Sequence, residues 1–242
     1  MRLLDLSLPS PAENLALDEV LLEAAELEQG EEALRFWESS TPFVVVGYAN
    51  RIASEVNTAA CATLGIPVLR RCSGGGTVVQ GPGCLNYALT LRITAAGPTR
   101  NITSTNRFVM ARHAAALTPL LPRPPASPGE IAVRGHTDLA IGAVKFSGNS
   151  QRRRKQFLLF HGTILYAFDL RLLNRLLKFP SHQPAYRASR PHDEFVTNLQ
   201  AQPAEIKRAL AKAWGAIPAK PPPPMPAQLL EKYRSSAWNQ RF

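Results

Sequence analysis

Apolar side chains at Leu17, Val20, Leu21, Ala24 and Leu27 recur at the three- and four-residue spacing of one helix face. The start of that helix is written just ahead of them. Ser10 is the N-cap, Pro11 takes the first helical position, Glu13 completes a capping box, and Gly30 is a natural stop. Runs rich in β-branched and aromatic residues predict strands at 34–38, 43–47, 67–71, 77–80, 86–93, 139–146 and 156–166. Helical patterns fall at 54–64, 104–117, 170–179 and 203–214. Strands interrupted by helices, without regular βαβ alternation, predict an α+β domain rather than a doubly wound parallel sheet.

Two proline clusters punctuate the pattern: five prolines in 118–129 and six in 217–226. Neither segment can carry a helix or a central strand. The first reads as a long loop, the second as a stiff spacer ahead of a short helix around 226–238. The domain division that follows is 1–216 for the body and 217–242 for spacer and helix.

Composition narrows the class. With 45% hydrophobic residues over 242 positions, the chain can bury a core and is not a disordered tail. Three cysteines, Cys61, Cys72 and Cys84, are too few for a disulfide framework and lack C-x-x-C spacing, which suits a reduced, cytoplasmic setting. No stretch approaches a membrane span, so no membrane partner is expected. The formal charge of +10 predicts an anionic partner without saying which one. Nucleic acid is the rival on charge alone, but no recognition-helix, zinc-finger or RNP-type signature supports it.

The chemistry concentrates in three clusters. The first is Arg70, Arg71, Cys72, Ser73, Gly74, Gly75, Gly76, Thr77 and Val78. Three glycines between two β-like runs strip the backbone bare, so that it can close on an anion or lie flat against a ligand. Their plain reading is a hairpin turn. The pattern is neither G-x-G-x-x-G opening a helix nor a Walker loop. The second cluster is Asp138 and Leu139 with Lys145, Ser147 and Gly148, followed by the basic run Arg152, Arg153, Arg154 and Lys155. A lysine at a strand end is ordinarily edge charge, and a basic run ordinarily a solvated hairpin. The third is His161, Gly162 and Thr163 in an apolar strand, where a lone histidine reads most simply as a hydrogen-bonded core residue.

Taken in order, RRCSGGGTV at 70–78, DL at 138–139 with KFSG at 145–148, and HGTIL at 161–165 resemble the signatures of the lipoate–protein ligase family. That family is similar to biotin–protein ligases and to the octanoyltransferases of lipoate synthesis. The resemblance extends from NLALDE at 14–19, through GPGCLNY at 81–87, to about residue 199. It implies a mixed, largely antiparallel sheet flanked by helices, the catalytic core of biotin ligases and class II aminoacyl-tRNA synthetases. It also implies a reaction in which lipoate or octanoate is activated by ATP with Mg²⁺ as an acyl-adenylate and passed to a lysine of an apo lipoyl carrier domain or a glycine-cleavage H-type protein.

The same resemblance assigns roles. Lys145 becomes the catalytic residue, bonding the acyl carbonyl and a phosphate oxygen. Arg71, Gly76, Thr77, Val78 and Asp138 line the ATP and adenylate side, with Asp138 holding ribose or the metal. Ser73, Gly74, Gly75, Gly148, His161 and Gly162 line the acyl side. Arg152, Arg153, Arg154 and Lys155 become a docking patch for an acidic carrier.

This sequence departs from the family in places. Thr137 stands where the family usually has asparagine. Long ligases carry an accessory C-terminal domain, whereas only residues 227–242 follow the second proline cluster here. Three arrangements stay open: the core acts alone, a separate small accessory subunit completes it, or the acyl group arrives from a thioester donor. The transferases resembling the ligases most place their nucleophilic cysteine in the stretch matching 120–137, which has none here. Cys84, and less so Cys72, is the remaining candidate nucleophile, though a small buried filler is the plainer reading of each.

Overall fold

The computed structural model describes residues 1–28, 30–122, 130–180 and 182–242. In chain order the first half runs β1 (Arg2–Asp5), α1 (Pro11–Glu28), β2 (Ala33–Trp37), β3 (Phe43–Val46), α2 (Ile52–Glu55), α3 (Thr58–Thr63), β4 (Val68–Arg70), β5 (Val78–Gln80), β6 (Cys84–Arg92) and α4 (Ile102–Leu117). The second half runs β7 (Ile131–Arg134), β8 (Asp138–Ile141), β9 (Val144–Arg153), β10 (Phe157–Leu165), α5 (Arg171–Leu176), α6 (His192–Phe195), α7 (Pro203–Trp214), β11 (Ile217–Pro218), α8 (Ala227–Arg234) and α9 (Ser236–Asn239).

Among the described residues, eight strands form one sheet in the order β11-β1-β2-β6-β10-β9-β8-β7, and β4-β3-β5 form a second. In the large sheet β1 pairs parallel with β2 and β11, and every other pairing is antiparallel. The expected α+β class with a largely antiparallel sheet is what the chain adopts.

Side chains alternate across a strand, and that alternation divides the sheet's labour. Leu34, Phe36, Tyr87, Leu89, Leu158 and Phe160 face one way and pack with Val109, Met110, Leu210 and Trp214 of α4 and α7. The opposite face presents Arg35, Asn86, His161 and Thr163, which the strand registers bring side by side. Beside them α1 packs on Ala88 and Leu159 through Leu22 and Ala25. One face is core; the other is core at one end and site at the other.

The capping box of α1 is present: Ser10 N donates to Glu13 Oε2 at 2.9 Å, and Glu13 N donates to Ser10 Oγ at 3.2 Å. Its predicted apolar stripe is too narrow at one end and too long at the other. Leu27 is 82% exposed, whereas Leu15, Ala16, Leu22 and Ala25 are buried. The helix lies between the sheet and α8, so it needs apolar residues on more than one side.

Other differences have local causes. The strand read over 139–146 is a hairpin, β8 and β9, folded at Gly142 (φ +62°). The segment 54–64 divides into α2 and α3, with Asn57 capping the second through Ala60 N. Part of the proline-rich stretch 118–129 forms a 3-10 turn at 118–120, and 123–129 lies outside the described residues. Residues 217–242 are bound into the body: β11 pairs with β1, and α8 and α9 pack on α1 and β4. Among the described residues, Arg35, Arg70, Arg71 and Arg187 are buried, so part of the positive charge is internal.

His113 of α4 lies wholly inside the core, where its Nε2 accepts the indole N–H of Trp214 at 2.9 Å. Burial, helped by Arg112, pushes its imidazole down to about 3. The folded state holds the ring neutral while the unfolded chain protonates it near pH 6.5, so stability falls as pH drops from about 6.5 toward 3, at about 1.4 kcal/mol per unit. His113→Phe is therefore expected to lose less stability than the wild type between pH 6.5 and 5, by about 2 kcal/mol. Urea unfolding at the two pH values checks this, and equal losses would contradict it.

Candidate active site

A cleft of about 1130 Å³ runs along the site face, and Lys145, Asp138, His161 and the glycine loop all line it. Lys145 reaches it through an irregularity in β9. Leu139 pairs with Ser147 but Ala140 pairs with Lys145, so β9 carries one extra residue, Phe146, at that step. Such a bulge re-aims the neighbouring side chains. Phe146 turns fully into the α4 core, and Lys145 comes to lie over Gly148 on the cleft side. A Cβ on Gly148 would sit 2.9 Å from Lys145 Nζ, so glycine is what lets the ammonium lie there.

Lys145 Nζ is 2.7 Å from Asp138 Oδ1, and Tyr186 O–H donates to Asp138 Oδ2 at 2.8 Å. Burial and then Asp138 push the Tyr186 phenol well up, so it remains a donor at any physiological pH. The backbone of Lys145 is fixed as well, since its carbonyl accepts Thr197 N at 2.8 Å. Thr137 lines the cleft, and its hydroxyl donates to the Asn149 carbonyl at 2.8 Å.

The two arginines before the glycine loop do different work. Arg70 is fully buried and its Nη1 donates to the carbonyls of Gly47, Tyr48 and Asn50. Arg71 staples the loop from beneath: its Nη2 donates to the Gly74 and Gly76 carbonyls and its Nε to Ser73 Oγ and the Gly74 carbonyl. Burial lowers Arg71 to about 10, which leaves it a cation at neutral pH. The loop is narrow where it passes Gly47, because a Cβ there would meet Gly75 O at 2.1 Å. Gly75 itself has φ +85°.

His161 joins that loop to α1. Its Nε2 lies 2.5 Å from Ser73 Oγ, and its Nδ1 lies 3.5 Å from Asp18 Oδ2. Asp18 in turn binds Arg35 at 2.6 Å, and Arg35 also donates to the Asn14 side chain and to the Asn14 and Leu6 carbonyls. The order of groups is that of a hydrolase triad. Ser73, however, is buried, and its Oγ also takes the Arg71 N–H, so it is tied into the loop as a positioning group.

Gly162 lines the cleft, but the space its side chain would fill is taken by Asn149, whose Oδ1 would stand 1.7 Å from a Cβ. That Asn149 oxygen also accepts the Tyr87 hydroxyl. Cys84 is fully buried among Val44, Val79 and Leu165, and burial pushes its thiol up to about 12. Cys72 is likewise buried and raised to about 12. Neither has the exposed, electropositive surroundings that make a thiolate.

The basic run is divided among separate tasks. Arg152 stacks over Tyr48 and reaches the Cys72 carbonyl at 3.4 Å; Arg153 donates to the Thr99 and Arg100 carbonyls and Thr105. Arg154 pairs with Glu23, and Lys155 is exposed. Asp18, Asn149, Tyr186 and the loop at Gly47, Tyr48 and Asn50 were not singled out from sequence. Only Asp18 carried a signal, its place in NLALDE at 14–19.

Among the described residues no group of three His, Cys, Asp or Glu side chains could hold a metal ion. Asp138 offers a carboxylate beside Lys145, and a single carboxylate suits a Mg²⁺ that would arrive with nucleotide phosphates better than a metal caged by protein. No helix among them is long and apolar enough to cross a membrane.

Residues 10–214 match the profile of the lipoyl protein ligase A/B catalytic domain. The octanoyltransferase LipM of Carboxydothermus hydrogenoformans is 30% identical over 222 residues, covering 83% of this chain and 80% of that protein. A lipoate-protein ligase A solved with bound ATP superposes with a TM-score of 0.79 at 25% identity, covering 99% of this chain and 98% of the other. The bipartite lipoate protein ligase of Thermoplasma acidophilum, described with its E2 lipoyl domain, shares the fold with a TM-score of 0.77 at 24% identity, covering 99% and 95%.

Proposed function

Because the chain belongs to the lipoyl protein ligase A/B catalytic-domain family, and so to the enzymes of lipoate ligation and octanoyl transfer, we propose that it is a lipoate–protein ligase. It activates lipoate or octanoate with ATP and transfers the acyl group to a lysine of an apo lipoyl carrier domain. The observation that carries ligation over transfer is the state of the thiols. All three cysteines are buried, Cys72 and Cys84 are held at about 12, and 120–137 contains none. A thioester route needs a thiolate at the acyl carbonyl; an adenylate route needs only fixed positive charge.

In that route the substrate carboxylate displaces pyrophosphate from the α-phosphate of ATP, and the carrier amine then attacks the acyl carbon as AMP leaves. Lys145 bonds the carbonyl oxygen and a phosphate oxygen, where charge develops in both steps. Asp138 and Tyr186 hold it in place, and Asp138 would hold Mg²⁺ brought in with the phosphates. Arg71, by binding the Gly74 and Gly76 carbonyls, shapes the loop that closes on the adenylate at Gly76, Thr77 and Val78. Gly74, Gly75 and His161 border the acyl chain, and Ser73 positions the loop beneath them. Supporting this reading are the shared cleft, the ion pair and the ATP-bound relative of the same fold.

The similarity to an octanoyltransferase favours one second reading, transfer from a thioester donor. The test incubates the protein with apo carrier domain and either free lipoate with Mg·ATP or octanoyl-acyl carrier protein, and reads the carrier mass. Modification with ATP and free acid is expected; modification only from the acyl carrier protein would move the assignment to transferase.

Carrier docking falls to the exposed end of the basic run. Reversing Arg154 and Lys155 to Glu is expected to slow carrier modification several-fold at low salt and to leave adenylate formation unchanged. The difference should shrink as salt rises, since the Debye length falls from about 10 Å at 0.1 M to about 3 Å at 1 M. A salt-independent defect, or none, would remove the docking role.

A further inference from the structure

β4 is an edge strand of the small sheet, and it leads straight into the glycine loop. Edge strands normally leave backbone groups to water. Here α9 takes them: Arg70 N donates to Asn239 Oδ1 at 2.9 Å, and Trp238 Nε1 donates to the Arg70 carbonyl at 2.9 Å. The Arg70 guanidinium closes the contact by donating to the Asn239 carbonyl at 3.2 Å.

From Arg70 the contacts continue to the loop. Its three bonds to the carbonyls of Gly47, Tyr48 and Asn50 hold a turn that forms the floor beneath residues 73–77. Tyr48 N donates to the Ser73 carbonyl at 2.8 Å, and Asn50 Nδ2 donates to Thr77 Oγ1 at 3.3 Å. Behind α9, Asn239 Nδ2 donates to the Tyr233 carbonyl, and Tyr233 O–H donates to Glu19 Oε2 at 2.8 Å. The glycine loop is thereby tied to α1 twice, from Asp18 through His161 and from Glu19 through α8 and α9.

We propose that Trp238 and Asn239 are positioning residues for the active site, setting the conformation of the glycine loop through Arg70. Three glycines in a row impose little shape of their own, so the loop takes its shape from what surrounds it. The inference rests on the ligase or transferase reading only for its effect on substrate; its structural content does not.

The test uses the full chain with Trp238→Phe, which keeps an aromatic ring but removes the pyrrole part of the indole with its N–H, and Asn239→Ala. Amide hydrogen exchange is followed in peptides covering 71–80, with α4 peptides as reference, alongside thermal unfolding and steady-state kinetics. Exchange in 71–80 is expected to quicken about tenfold with α4 unchanged, and KM for the acyl acid to rise several-fold more than kcat falls. Unchanged loop exchange in the folded variants would overturn the proposal, as would acceleration spread equally over α4. Should Asn239→Ala not fold, Trp238→Phe decides alone. An inactive wild type would refute the enzymatic reading while leaving the exchange result to judge the positioning role.

Discussion

Lys145→Ala is expected to lower acyl-adenylate formation and carrier modification by about 10²–10³ while the protein stays folded, the loss typical of one donor aimed at developing charge. The fold should tolerate it because the Lys145 side chain is a quarter exposed and its partner Asp138 keeps the Tyr186 hydroxyl. Gly148→Ala should mimic part of this loss without replacing the lysine, since the new methyl would crowd Nζ and Cε at 2.9 and 3.0 Å and push the ammonium aside. Pyrophosphate release and carrier mass measure the two half-reactions. Turnover within threefold of wild type for Lys145→Ala would reduce that residue to a strand-edge charge.

The largest stability loss is expected at Gly83. Its φ is +81°, and a Cβ there would lie 2.3 Å from the Ala167 carbonyl carbon and oxygen. Those are backbone atoms, and the Gly83 carbonyl already accepts Tyr166 N and Ala167 N, so nothing flexible can give way. Left-handed strain of about 1–3 kcal/mol and a forced backbone shift of similar size add to about 4 kcal/mol for Gly83→Ala. In a chain of this size that corresponds to a fall in Tm of roughly 10 °C. Gly142→Ala is the control, with φ +62° but open space around it, and should cost only the strain. A Gly83→Ala melt within 2 °C of wild type would mean that the turn can be rebuilt.

The sequence made legible what local chemistry decides. The Ser10 cap, the glycine loop between strands and the helical pattern of α7 at 203–214 all carry their signals within a few residues. Elements set by long-range contact were harder to read. The polar stretch of β9 shows no alternation, because one side of it meets the site and the other meets polar partners such as Tyr87 and Asn106. The bulge at Phe146, which gives Lys145 its direction, depends on β8 across the hairpin. Arg70 and Arg71 look alike in sequence; only the position of α9 and of the Gly47 turn separates the brace from the staple. The basic run was hard to divide for the same reason, since Arg153 and Arg154 find partners far away in sequence.

The bond from Tyr233 to Glu19 joins residues 214 positions apart. During synthesis at about 5–20 residues per second, on the order of ten seconds or more separates their appearance. Closing a span of that length also costs roughly 5 kcal/mol of chain entropy beyond a constant. Through that interval α1, β2 and β6 can pair while the edge of β4 and the turn beneath the glycine loop have no partner from α9. The nascent chain is therefore expected to hold its sheet before it holds its site, and to fix its glycine loop only when α8 and α9 have emerged from the ribosome.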